Sequence, residues 1–159
     1  MKRLITAVLA AIAAMCRPRY DIALANIAEG THENGVTRLT DAAMTTRHLL
    51  VKGGTDEDHI DICGASDLPM GVCPDEASAA EEYVTVLLPG CAESTRLMVA
   101  SEAIDAHAEV FTAANGKVQN APSAAGTYYR VGRALKASSD DGDEIEVDPY
   151  PPTEYVIPA

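Results

Sequence analysis

The side chains with reactive potential in this chain are few and widely spaced. Four histidines (His32, His48, His59, His107) and four cysteines (Cys16, Cys63, Cys73, Cys91) form no tight cluster, and no Cys-x-x-Cys occurs. Zinc-ligand spacing is therefore missing. The run Asp56-Glu57-Asp58-His59-Ile60-Asp61 offers oxygen ligands to a hard cation. It lacks both the spacing and the turn glycine of a calcium loop, and a solvated hairpin tip accounts for it better. Asp140, Asp141, Asp143 and Glu144 raise the same question and receive the same answer. A nucleophile reading pairs Cys91 or Ser94 with His107. Cys91 follows Pro89-Gly90, which is turn chemistry, and no G-x-S-x-G elbow is present. There is no phosphate loop and no dinucleotide fingerprint. The sequence thus predicts no catalytic residue, no metal site and no cofactor, and a protein that is not an enzyme.

Composition narrows the partners. The 159 residues suit one domain with length left for an arm or tail. With no Trp and a single Phe, Phe111, the core must be aliphatic. Twelve basic against 24 acidic residues give a net charge of −12, which repels phosphate backbones and argues against direct nucleic-acid binding. Lys2, Arg3, Arg17 and Arg19 all precede the first acid, Asp21. A basic, apolar front end therefore leads into an acidic body.

The elements that could position side chains are short strands. Tyr20–Ala25 alternates as a first strand, and 26–41 reads as a polar loop. Asp41 caps a short helix start toward Met44. Further strands follow at Arg47–Lys52, His59–Cys63, Leu68–Cys73, Tyr83–Leu88, Thr95–Ala100, Ala108–Thr112 and Gly116–Gln119. The last pair is joined by a tight Asn115-Gly116 turn. Tyr128–Pro149 reads as a strand, a polar turn over 138–143, and a second strand with Ile145 and Val147 on one face. Residues 47–86 echo 108–147 at an offset of 61: Gly71 falls on Gly132, Cys73 on Ala134, Glu82 on Asp143, Val84 on Ile145 and Val86 on Val147. Chance resemblance between alternating strands is the competing explanation. The spacing predicts a mainly β domain over 20–149, a small barrel or sandwich of hairpins. Cys63 and Cys73 have two readings, as free half-buried thiols or as a bridge across a hairpin.

Both ends differ from this body. Residues 1–19 carry a basic start and an apolar run, with Leu4, Val8, Ala11 and Ile12 at helical spacing. They read as an arm, as a secretory signal, or as an upstream extension if Met15 is the start. Residues 150–159 form a tail; the ten residues from Pro149 to Pro158 hold four prolines, which predicts an extended tail kept out of any central strand. If the ends reach a partner, the contacts are Leu4, Ile5, Val8, Ile12, Arg17, Arg19 and Tyr20 at the front, and Tyr150, Tyr155, Val156 and Ile157 at the back.

Several phrases combine: Asn26-Ile-Ala-Glu-Gly-Thr-His-Glu33, Ala65-Ser-Asp-Leu-Pro-Met-Gly-Val72, Ala113-Ala-Asn-Gly-Lys-Val118, and Val131-Gly-Arg-Ala-Leu-Lys-Ala137 followed by Asp-Gly-Asp-Glu-Ile-Glu-Val. Over about residues 20–149 the chain resembles the capsid cement, or head decoration, proteins of tailed bacteriophages and prophages. The signal-like start departs from that pattern. The resemblance implies a structural virion protein that decorates and stabilises a capsid. Its partners would be the major capsid protein and copies of itself, single or in clusters of three. Its place would be the capsid surface, with no nucleic acid and no membrane in the mature form. The alternative, motivated by Met1–Ala14, is a secreted or cell-envelope β domain that binds a partner or ligand.

Overall fold

The computed structural model describes residues 34–91 and 94–159; the expected front-end contacts and the Tyr20–Ala25 strand lie outside them. Among the described residues the chain is built from ten strands. The first five are β1 (Gly35–Thr40), β2 (Leu49–Gly53), β3 (His59–Ile62), β4 (Gly71–Cys73) and β5 (Tyr83–Leu87). They close into a barrel in the order β1-β3-β2-β4-β5. A 3-10 turn at Pro89–Cys91 leads to β6 (Arg96–Val99), β7 (Glu109–Thr112), β8 (Val118–Gln119), β9 (Gly126–Ala134) and β10 (Glu144–Ile157). These form a second sheet in the order β6-β10-β9-β7-β8. A parallel bridge between Ala100 and Val118 joins its two edges.

The two sheets share one connectivity. The β1–β5 register sets Val36 opposite Val86, and the β6–β10 register sets Arg96 opposite Val147. Thr40 N–H donates to Glu82 O while its own carbonyl accepts from Glu81 N–H. Ala100 stands in the same relation to Asp143 and Gly142. Glu81 and Gly142 both carry positive φ, as do His48 and His107 where each second strand begins. The turn before each last strand is clamped alike: Ser78 N–H donates to the Glu82 carboxylate, and Ser139 N–H to that of Asp143.

Gly71 and Gly132 hold equivalent places because the following strand lies across them. A Cβ at Gly71 would stand 2.4 Å from Leu87 O, and one at Gly132 would stand 2.5 Å from Asp148 O. No side chain fits there.

Burial explains why the strands alternate as they do. Val36, Met44, Val51, Ile60, Cys73, Ala77, Val84 and Val86 fill the first barrel. The second core gathers Met98, Ile104, Val110, Val118, Val131, Ala134, Ile145 and Val147. It also takes in Leu50, Cys63 and Val72, which point outward from the first barrel. Adjacent strand residues face opposite ways, so Val51 and Cys73 line the barrel while Leu50 and Val72 form the seam. Gly116 tightens that seam. Its N–H donates to Cys63 O at 2.7 Å, its φ is +69°, and a Cβ would stand 2.7 Å from Leu50 O.

Two expectations need correction. The loop expected to run to Asp41 contains β1, because Val36 and Thr40 turn inward and the strand pairs with both β3 and β5. No helix starts at Asp41. Its carboxylate instead receives the N–H and hydroxyl of Thr55, and Met44 pairs with Ala77. Of the two readings of Cys63 and Cys73 the free one holds, since one faces the seam and the other the barrel interior.

Candidate interaction surface

Groups with catalytic potential are spent on structure. Both ring nitrogens of His59 meet carboxylates: Nδ1 lies 2.6 Å from Asp56 and Nε2 lies 3.2 Å from Glu81. The bond to Asp56, supported by Glu81, raises the imidazole above its ordinary value, and the same bond lowers Asp56. Ser94 Oγ accepts from Arg96 Nη1 at 2.7 Å. His107 uses its backbone N–H on Ala134 O, and no hydrogen bond joins it to Ser94. Burial pushes the Cys63 thiol up to about 12, and burial raises Cys73 as well. A thiol held in its neutral form is a poor nucleophile. Among the described residues no group of three His, Cys, Asp or Glu is placed to hold a metal ion.

The acidic turn over 140–144 closes on itself. Asp143 accepts from the backbone of Ser139 and Asp140, and these bonds lower its carboxyl. Asp141 pairs with Lys117 at 2.6 Å. Glu82 is lowered for the matching reason, by the Ser78 hydroxyl first and its N–H second.

What remains is surface, and its most distinctive part is the end of β10. From Glu144 to Asp148 the strand alternates exposed and buried; past Pro149 the alternation ceases. The β9 pairing shifts register between Pro149 and Thr153, so Pro151 and Pro152 fall where no ladder donor is needed. It then resumes from Thr153 opposite Arg130 to Ile157 opposite Gly126. The expected tail is thus extended, and it is also one partner of a two-stranded arm. Tyr150 is half-buried, with the Arg130 guanidinium 5.8 Å from its ring centroid. Tyr155 lies 5.0 Å from Phe111, centroid to centroid, with its rings tilted by 54°. Val156 is 59% exposed and Ile157 half-buried. The structure therefore brings all four back-end residues onto one arm. Leu4, Ile5, Val8, Ile12, Arg17, Arg19 and Tyr20 lie outside the described residues.

A second patch was not expected from the sequence. Leu97 and Leu135, both exposed, flank Glu146: Leu97 pairs with it across β6, and Leu135 N–H donates to its carbonyl. Leu97, Met98 and Val99 of β6 are all apolar, and Arg96, its one polar residue, is buried, so the pattern of the strand gives no sign of which residues turn outward.

Comparison with known proteins places this architecture. No curated protein matches the chain. The base of the head fiber gp8.5 of bacteriophage phi29 has a similar fold, with a TM-score of 0.57 at 13% identity, covering 74% of this chain and 94% of that one. The family model described as phage cement protein matches residues 31–149. That span takes in both barrels and the turn between them, and the chain belongs to the phage cement proteins, structural components of the virion that associate with its capsid.

Proposed function

We propose that this protein sits on the outer surface of the capsid and binds where major capsid protein subunits meet, stabilising the shell without performing chemistry. The observation that carries the reading is the β9–β10 arm. It extends past the core, ends in Tyr155, Val156 and Ile157, and leaves the outer backbone edge of 153–157 without a strand partner among the described residues. Such an edge accepts a strand from a neighbour. Binding the assembled shell in preference to free subunits stabilises it by mass action. The net charge of −12 supports an outward position away from packaged nucleic acid. Contacts between copies, three around a capsid axis, suit closed symmetry.

The test mixes purified full-length chain with undecorated shells. Co-sedimentation together with a higher shell disruption temperature is expected; loss of both would sink the proposal.

A further inference from the structure

β10 is two strands in one. Its first part, 144–149, lies between β6 and β9; its last part, 153–157, pairs with β9 alone. At the equivalent places the first barrel closes with β4 and β5, of three and five residues. β9 and β10 run to nine and fourteen. None of 150–157 belongs to either core. The extension is therefore not needed to complete a barrel, and the family match stops at residue 149, just before it.

Little holds 153–157 in place. Pro151 and Pro152 have no N–H to give, and the register shifts across them. The near end of this stiff linker is fixed, because Arg130 pairs with Glu109 at 2.9 Å and its guanidinium lies over the Tyr150 ring. Among the described residues, the side chains of 153–157 make one hydrogen bond: Thr153 Oγ1 donates to Pro151 O at 3.1 Å, next to the segment itself. The ladder to 126–130 and the Tyr155–Phe111 contact are what remain. Releasing such a segment takes little free energy. Leaving its place empty takes more. Residues 126–128 have no other strand partner among the described residues, and Phe111, 3% exposed, would lose its Tyr155 cover. A strand that is easily released from a place that must be refilled favours exchange between copies.

We propose that 153–157 is an exchangeable strand and that its partner is a second copy of this chain. The segment leaves its own β9 and takes the same register on β9 of the neighbouring copy, with Tyr155 covering Phe111 of the partner subunit. Every contact given up is remade, so the exchange is opposed mainly by the entropy of association. Closure on the chain's own β9 competes, at an effective concentration on the order of millimolar for a short linker. The exchanged form is therefore expected at about 1 mM protein, or on any surface crowded with copies. It does not depend on the capsid reading.

Thr127 and Val156 are register partners on the face opposite Tyr155, so cysteines there leave the contact with Phe111 intact. The full-length double variant T127C/V156C should form its disulfide within one chain at about 10 µM, the control for geometry. Thr127→Cys copies mixed with Val156→Cys copies at about 1 mM should give at least about fivefold more disulfide-linked pair than either variant alone, with the bond mapped between positions 127 and 156. Wild type should rise in mass by light scattering, from a single chain at about 10 µM to a closed dimer or trimer at about 1 mM. Wild type that stays a single chain at about 1 mM, or mixed variants without that bond, overturns the inference. Failure to bind shells refutes the capsid-binding reading alone, because both readouts are made on free protein.

Discussion

Single residues in this protein are informative mainly through what they are prevented from doing. Cys63, with its thiol pushed up to about 12, and Cys73, raised in the same direction, are both buried. Neither should react with an aromatic disulfide reagent at pH 8 in the native state, and both should react once urea unfolds the chain; fast native labelling of either would contradict the burial. Gly116 is constrained more tightly. Gly116→Ala must hold a Cβ at positive φ against Leu50 O, and the strain should cost about 1–3 kcal/mol or more, read as a lower urea midpoint at unchanged slope. The sequence announced this turn through Asn115-Gly116, because few residue pairs tolerate two successive left-handed conformations. It did not announce Arg96. The internal match at offset 61 holds for the last strands of each unit, Val86 with Val147. The first strands differ by 60, Val36 with Arg96. No single gapless offset aligns those two residues together with Val86 and Val147.

At the level of elements, strands were legible where apolar and polar residues alternate and illegible where they do not. β1 reads as polar loop because Gly35, Thr37, Arg38 and Thr40 outnumber its apolar residues. It is a strand because Thr40 can be buried at no loss, its hydroxyl donating to Ala79 O at 3.1 Å. The Pro-rich end was legible as extended, yet its pairing with β9 was not, since the register shift that absorbs Pro151 and Pro152 has no signature in the sequence. The arm gives a direct test of the capsid reading: Val156→Asp should abolish or sharply weaken shell binding while free-protein stability stays within about 0.5 kcal/mol, as judged by sedimentation beside urea titration.

The two turn clamps predict acid sensitivity. Glu82 and Asp143 are both lowered in the fold, so each adds stability above its unfolded pKa, and that contribution is lost as pH falls through the folded value. The melting temperature should therefore drop below about pH 4, and E82Q with D143N should flatten part of the drop. His59 has the opposite sign: raised by Asp56 and then Glu81, it contributes below its unfolded pKa and loses that contribution as pH rises through the folded one.

For the molecule as a whole, the seam decides behaviour. Leu50, Cys63 and Val72 belong by connectivity to the first barrel and by packing to the second core. Separating the halves would expose them, so urea unfolding should give one transition, coincident by far-ultraviolet circular dichroism and tyrosine fluorescence. Surface function was the least legible property at this scale. A protein that works by fitting a neighbour needs exposed edges and scattered apolar residues, and a sequence marks neither with a reactive group. The position of β10 has a further consequence for synthesis. It is the last of the described strands in chain order, yet it lies second in its sheet, between β6 and β9. Within that sheet β6 pairs with β10 alone, so β6 cannot be taken into the sheet until residues 144–147 have left the ribosome, whereas β7, β8 and β9 can pair before then. A chain truncated after residue 143 should keep that half unfolded, read as the loss of its share of the far-ultraviolet circular dichroism signal and of the cooperative urea transition.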